Sequence, residues 1–204
     1  MLKADASPHD GQPATHVVRG ACPTAWRPMA AGDGWLVRVR PPQGRLRAAQ
    51  AAALCEAALR FGNGLLDLTN RAALQIRGVA EADCPALRDR LIDAGLTDAD
   101  PGREAQLNLV LTPDWRCGDD SDRLSHELHR RIGELPPLPA KIGFAIDAGP
   151  APALTDCPAD FRIERGETGL LIVRPDGRPR GAPARPDTAI DTLIKVKGTS
   201  RPGA

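Results

Sequence analysis

Alternation of apolar and polar residues predicts the first strand of this chain over residues 34–40. One side of the strand carries Trp35, Val37 and Val39, and the other side carries Leu36, Arg38 and Arg40. Residues 41–44, which are rich in proline and glycine, end the strand. Two arginines therefore share the face that lies opposite most of the apolar residues.

Residues 65–79 are predicted to form two short strands joined by a tight turn at residues 69–71. In the second of these strands, Leu74 and Ile76 point to one side. If the strand parity extends through the turn, the opposite side carries the polar row Arg71, Gln75 and Arg77. Such a row beside an apolar one indicates a sheet with helices on one face and an anionic ligand on the other.

Helical spacing of apolar residues predicts a helix over residues 45–61, stopped by Gly62, and a second from Asp83 to Gly95. Residues 107–111 follow as a further apolar strand. The order β-α-β-β-α-β is that of a ferredoxin-like half domain, an α+β fold whose helices cover one face of a four-stranded antiparallel sheet. The open face is predicted to carry Arg38, Arg40, Arg71, Gln75 and Arg77.

A second region is predicted from residue 113 to residue 204, after a flexible arm at residues 1–19 and the half domain at residues 20–112. It contains a helix that ends near Gly133 and a strand at residues 140–147 with Lys141 outward. Two more strands of a meander and the start of a last helix follow, at residues 160–163, 169–173 and 188–194. We interpret this region as the incomplete beginning of an α/β domain.

Composition narrows the range of partners. The net charge of +1 gives no bulk attraction to nucleic acid or to a membrane, and an aromatic content of 3% without tyrosine disfavours a base-stacking surface. No apolar run approaches the roughly 20 residues that span a bilayer, and the first residues lack the apolar core of a secretory signal. We therefore expect a cytoplasmic protein, whose anion binding must come from local clustering of arginines.

The five cysteines are dispersed and form no closely spaced pair, so the pattern predicts no local metal site. Cys55 is predicted to be a core residue of the first helix. His126 and His129 could ligate a metal, but a solvated helix face explains them better, and residues 119–122 fit a helix N-terminus. The arginine row has its own alternative, a set of solvated surface residues.

Three segments carry a resemblance to a known family: LVRVRPPQG at 36–44, DLTNRAALQIRGV at 67–79 and LPAKIGFAID at 138–147. They resemble the sulfite/nitrite reductase superfamily, and the stretches RGACP and WRPMAAGDG tilt the resemblance toward its precorrin-3B synthases. In the reductases, the signature that the segment at 67–79 resembles binds the carboxylates of siroheme. By position, the resemblance implies tetrapyrrole binding by Arg38, Arg40, Arg71, Gln75, Arg77 and Lys141, while the catalytic residues stay unknown.

The resemblance implies an oxidoreductase that converts the tetrapyrrole precorrin-3A to precorrin-3B in aerobic cobalamin biosynthesis. This reaction is an O₂-dependent hydroxylation with lactone formation, and it implies a 4Fe-4S cluster, a further iron and an electron donor. The cluster cysteines of the family lie in a second half that this chain lacks, so we expect an N-terminal fragment, or the product of a frameshift or premature stop.

Two departures bear on siroheme, because the reductases have Arg and Lys where this chain has Leu107 and Gly143. Siroheme binding in the reductase manner is therefore less expected. A sulfite or nitrite reductase half with siroheme and a non-catalytic tetrapyrrole-binding fragment remain the alternatives.

Overall fold

The computed structural model describes residues 22–136, 138–139 and 141–199. The predicted arm at residues 1–19 lies outside the described residues. Within the described part, no helix combines the length and the apolar character needed to cross a membrane.

The first sheet is four-stranded and antiparallel, as predicted for the half domain. Its spatial order is β1-β2-β4-β3. The strands are β1 (Met29–Ala31), β2 (Gly34–Val39), β3 (Leu66–Leu68) and β4 (Leu74–Val79). Two helices, α1 (Ala48–Phe61) and α2 (Cys84–Asp93), complete this unit. The fold is therefore a mixed α+β fold with a ferredoxin-like half domain.

The predicted parity of the central strands is confirmed. Val37, Val39 and Ile76 are at most 1% exposed and form one apolar core with helix residues such as Leu54 and Leu87. The register between β2 and β4 shifts between Trp35 and Val37. Gly78, with φ of +68°, lies in the irregular stretch of β4, and residues on both sides of it still reach the core.

Helix α1 begins at Ala48, three residues later than predicted, and Gln50 secures its start. The Gln50 Oε1 atom accepts from the Arg47 amide at 3.1 Å, and Nε2 donates to the Gly95 carbonyl at 3.0 Å. The buried stripe of α1 contains Leu54 and its helical neighbours, and this places Cys55 on the solvent side. The prediction that Cys55 is a core residue was therefore wrong.

The predicted fourth strand at residues 107–111 does not join the first sheet. β1 occupies the edge beside β2, whereas β5 (Leu109–Leu111) pairs in parallel with β6 (Phe144–Asp147). A short helix, α3 (Pro101–Gln106), precedes β5. The apolar pattern identified a strand correctly but carries no information about its pairing partner, so the prediction of its sheet was wrong.

The second sheet has the order β5-β6-β7-β8-β9. Its other strands are β7 (Phe161–Arg165), β8 (Leu171–Pro175) and β9 (Ala182–Ala184). Because β6 and β7 are parallel, the predicted meander is wrong at that step, although β7 and β8 do form an antiparallel hairpin. Helices α4 (Asp120–Arg131) and α5 (Ala189–Thr199) pack over the core of this sheet.

The turn after β2 joins the two sheets through side-chain and backbone contacts. Gln43, which has φ of +55°, donates through Nε2 to Asp122 Oδ1 at 2.7 Å and to Ser125 Oγ at 2.8 Å. The Trp115 indole donates to the Gln43 carbonyl, and the Arg45 guanidinium lies 4.0 Å from the centre of the Trp115 ring. These contacts hold the end of β2 against α4 and position the open face of the first sheet.

Candidate functional site

Arg38 and Gln75 form a cross-strand pair on the open face. They are register partners in β2 and β4, and the Gln75 amide oxygen, once turned toward Arg38, accepts from Nε at 3.1 Å and from Nη2 at 2.7 Å. Burial lowers the pKa of Arg38, and the positive charges of Arg40 and Arg71 add to that effect. An anionic ligand at this point would relieve the repulsion among these cations.

Arg71 projects from the turn between β3 and β4. The Thr69 hydroxyl accepts from the backbone amides of Arg71 and Ala73, while Ala72 takes a left-handed conformation with φ of +49°. The guanidinium donates through Nη1 to the Lys141 carbonyl at 3.3 Å. This contact brings the exposed Lys141 to the first sheet, although 70 residues separate the two positions.

Arg40, whose charge also acts on Arg38, is bound to a carboxylate. Its Nη1 atom lies 3.2 Å from Glu104 Oε1, and the two side chains are only 13% and 5% exposed. Burial raises the pKa of Glu104, whereas the positive charge of Arg40 opposes that rise. A ligand carboxylate would therefore have to compete with a buried ion pair for Arg40.

Arg77 is also neutralised within the protein. Its guanidinium donates to both oxygens of Asp33, at 2.9 and 3.0 Å, and to Asp67 at 3.1 Å. The hydrogen bonds from Arg77 lower the pKa of Asp33. The hydrogen bond to Asp33, followed by the one to Asp67, raises the pKa of Arg77. Arg77 thus ties the β1–β2 turn to β3.

The six predicted ligand residues therefore divide into two groups. In the described part of the chain, no carboxylate lies within ion-pair distance of Arg38, Arg71 or Lys141, whereas Arg40 and Arg77 have acidic partners. Sequence reasoning missed Asp33, Asp67 and Glu104 as those partners. Asp67 lies directly across from Gln75 in the register, so only a correct strand alignment would have revealed it.

The described residues do not provide a cluster or metal site. They contain no group of three or more His, Cys, Asp or Glu side chains placed to hold a metal ion. All five cysteines are free thiols, and they are distributed over separate segments of the chain. An iron–sulfur cluster therefore does not fit the described part of this chain.

His126 and His129, considered above as a possible metal pair, each contact a carboxylate. His126 Nδ1 lies 3.0 Å from Asp122 Oδ1, and His129 Nε2 lies 3.5 Å from Asp98 Oδ2. Burial is the largest effect that lowers the pKa of His129, and the positive charge of Arg103 lowers it further. The negative charge of Asp98 raises this pKa and so opposes both effects. The folded protein therefore favours the neutral imidazole of His129.

This depressed pKa predicts a contribution to acid sensitivity. Stability from such a group is present above the pKa of the unfolded chain and is lost as the pH falls through the folded pKa. We expect His129→Gln to reduce the stability loss between about pH 7 and pH 5 by less than about 1 kcal/mol, because solvent screens this half-exposed side chain. Urea unfolding at the two pH values measures the difference. Arg130→Gln, at the exposed neighbouring position of α4, is the control, and equal losses in both variants would contradict the assignment.

Comparisons with known proteins agree with the ferredoxin-like half domain described above. The nitrite/sulfite reductase ferredoxin-like half domain matches residues 27–94. A precorrin-3B synthase from Sinorhizobium sp is 35% identical over 159 residues, which cover 74% of this chain and 33% of the synthase. A ferredoxin–nitrite reductase from Leptolyngbya laminosa is also 35% identical, over 59% of this chain and 26% of the reductase. This chain thus spans a third or less of the length of either relative.

A solved structure shows the same fold. The Mycobacterium tuberculosis NirA protein superposes on 87% of this chain with a TM-score of 0.60, at 18% sequence identity, and the match covers 38% of that protein. This match confirms the fold, and the sequence relatives confirm the predicted resemblance to precorrin-3B synthase and the sulfite/nitrite reductase superfamily. The ligand role of the six residues stays a prediction.

Proposed function

Because this chain carries the ferredoxin-like half domain of nitrite and sulfite reductases, we propose that it forms one wall of a tetrapyrrole site in a precorrin-3B synthase-like oxidoreductase. The observation that carries the proposal is the crowding of Arg38 and Arg71 on one sheet face. Within the described residues neither has a carboxylate partner, and the pKa of Arg38 is lowered by burial and by neighbouring cations. A polycarboxylate macrocycle supplies the missing negative charges.

The chain's own residues hold and orient the macrocycle in this proposal. Guanidinium forks bind carboxylates through two parallel hydrogen bonds, and Gln75 restricts the rotation of Arg38 so that its fork is presented in one orientation. Arg71 uses Nη1 for the Lys141 carbonyl, which leaves its other donors for a ligand. Arg40 and Arg77 are engaged internally, so we assign them a structural role and a contribution to the local field.

The substrate that we propose is precorrin-3A, and the reaction is its O₂-dependent hydroxylation with lactone formation to precorrin-3B. The described residues do not fit an iron–sulfur cluster. We therefore assign the oxidising centre and the docking of an electron donor to parts of the synthase outside the 33% that this chain covers. The contribution of this chain is the recognition of substrate carboxylates.

A siroheme-dependent nitrite or sulfite reductase is the second candidate, since the nitrite reductase and the synthase each share 35% sequence identity with this chain over the matched residues. Two positions favour the synthase. Leu107 packs beside the core of the second sheet, and a Cβ at Gly143 would lie 3.1 Å from Asn108 Nδ2, so a longer side chain there requires local rearrangement. Neither position offers the cation that the reductases have.

A titration with uroporphyrin, a porphyrin with eight carboxylates, tests the binding proposal. We expect Arg71→Ala to weaken binding by about 1.5–3 kcal/mol, roughly 10- to 150-fold in Kd, because a charge-assisted contact at a partly buried site is lost. Lys141→Ala should have a smaller effect, since solvent screens this exposed ammonium. Porphyrin fluorescence at fixed ionic strength measures the affinity.

Arg90→Ala is the matched control, because Arg90 lies on α2, on the helix-covered side of the sheet, and pairs with Glu56. Its affinity for uroporphyrin should equal that of the wild type. Unchanged affinity in both the Arg71→Ala and Lys141→Ala variants would remove the basic face from the proposal.

A further inference from the structure

The peptide group between Ile142 and Gly143 is held from both sides by side chains that lie just before β5 and β7. On one side, Asp160 Oδ2 accepts a hydrogen bond from the Gly143 amide at 2.7 Å. On the other side, Asn108 Nδ2 donates to the Ile142 carbonyl at 3.4 Å. Because a peptide group is planar, contacts at both of its polar atoms fix its orientation.

The second sheet fixes the position of Asp160 itself. The backbone amides of Asp160 and Phe161 both donate to the Gly143 carbonyl, at 2.8 and 3.2 Å. Gly143 directly precedes β6 and Asp160 directly precedes β7, so these bonds continue the parallel pairing of the two strands by one residue. The Asp160 carboxylate therefore acts from the end of a paired strand.

The neighbouring peptide group, between Lys141 and Ile142, reaches the first sheet. Its carbonyl accepts from Arg71 Nη1 at 3.3 Å, and its amide donates to the Pro139 carbonyl at 2.9 Å. Only the two backbone dihedral angles of Ile142 separate it from the peptide group that Asp160 holds. The direction of the Lys141 carbonyl therefore depends on the Asp160 contact.

The segment that leads into β7 also lies within electrostatic reach of Arg71. Burial raises the pKa of the Cys157 thiol, and the positive charges of Arg162 and Arg71 oppose that rise. We infer that Asp160 is a positioning residue of the tetrapyrrole site: it holds the peptide group that follows Lys141, and the Lys141 carbonyl then anchors the Arg71 guanidinium. This inference rests on the function proposed above.

An anchored guanidinium should bind a carboxylate more tightly than a mobile one. The anchor uses Nη1 of Arg71 and leaves the other donors of the guanidinium for a ligand. If the anchor is lost, the ligand has to immobilise this long side chain itself, which weakens binding by about 2- to 12-fold in Kd. Asp160 would thus influence affinity without touching the ligand.

Uroporphyrin binding by Asp160→Ala and Asp160→Asn tests this inference. Both variants lose the negative charge, but only asparagine keeps an oxygen that can accept from the Gly143 amide. We expect Asp160→Ala to bind about 2- to 12-fold more weakly than Asp160→Asn, because Arg71 loses its fixed anchor. Equal affinities of the two folded variants would overturn the inference.

The same pair of variants in the Arg71→Ala background separates positioning from a general structural role. Without a guanidinium to anchor, the difference in affinity between Asp160→Ala and Asp160→Asn should disappear. A difference of the same size in both backgrounds would show that Asp160 does not act through Arg71, and this result would also overturn the inference.

Failure of this inference and failure of the proposed function give different results. If Arg71→Ala alone leaves the affinity unchanged, the basic face and the positioning role both fail. If Arg71→Ala weakens binding but the two Asp160 variants do not differ, only the positioning role fails. Should Asp160→Ala not fold, Asn108→Ser removes the donor on the other side of the same peptide group, and its comparison with the wild type in both backgrounds decides by the same outcomes.

Discussion

Replacing Glu104 with alanine is expected to lower the free energy of unfolding by about 3–5 kcal/mol, because the substitution leaves a buried Arg40 guanidinium without its counter-charge. The side chain of Arg40 is 13% exposed to solvent, and that of Glu104 is 5% exposed. Removal of one partner from such a pair exposes the full desolvation cost of the other. The double variant Glu104→Leu/Arg40→Met, which removes both charges, should recover much of the loss.

Urea unfolding followed by circular dichroism measures the loss, and Asp33→Ala is the matched control. Asp33 also pairs with an arginine, but one third of each side chain is exposed and Arg77 keeps Asp67 as a second partner. Solvent screens such a pair, so its loss should be much smaller. Equal destabilisation by Glu104→Ala and Asp33→Ala would show that the Arg40–Glu104 pair is not buried as described.

A second large effect is expected at Gly62, where α1 ends against β4. A Cβ at this position would lie 2.4 Å from the Arg77 carbonyl oxygen and 3.0 Å from Ile76 Cγ2. The carbonyl cannot move freely, because it accepts from the Asn63 amide at 2.9 Å. Gly62→Ala should therefore cost about 3 kcal/mol or more through overpacking against backbone.

The φ of Gly62 is −116°, so the cost would come from the contact and not from a left-handed backbone. Gly133→Ala is the control, because no heavy atom lies within 4 Å of a Cβ there. Its unfolding free energy should stay close to that of the wild type. The two variants compare the same chemical change with and without a steric clash, so similar stabilities would contradict the close approach of α1 to β4.

The clash at Gly62 should also reach the proposed ligand face. The strand that it would displace carries Gln75 as well as Arg77, and Gln75 orients Arg38. Weaker uroporphyrin binding by a folded Gly62→Ala protein would therefore connect the end of α1 to the orientation of Arg38. The Gly133→Ala protein should retain the affinity of the wild type.

Local pattern was sufficient to predict the two central strands of the half domain and their faces. Val37, Val39 and Ile76 are buried on the predicted side because side chains alternate along a strand, and this alternation can be counted in the sequence. Strict alternation would place Val79 with Gln75 and Arg77, but Val79 lies in the core, so the irregularity at Gly78 shifts the parity only after Arg77. The arginine row is therefore on the face predicted from residues alone.

The pattern of apolar and polar residues could not predict which distant segments pair with each other. The apolar run at residues 107–111 is compatible with an edge of either sheet, and the backbone hydrogen bonds that place it beside β6 are independent of side-chain periodicity. The same holds for β6 and β7. The sequence showed a series of short strands, but it did not reveal that these two pair in parallel. His129 and Asp98 likewise meet only because α4 packs beside the segment after α2.

The sequence by itself determined the types of the elements that it predicted, the buried faces of the central strands, the family resemblance and the group of polar residues Arg38, Arg71 and Gln75. These follow from periodicity and from short motifs, which are properties of neighbouring positions. Only the tertiary structure decided that Glu104 neutralises Arg40, that Asp33 and Asp67 neutralise Arg77, and that Lys141 lies beside Arg71. Whether a charge is available to a ligand depends on the distance to opposite charges and on burial, and chain folding sets both.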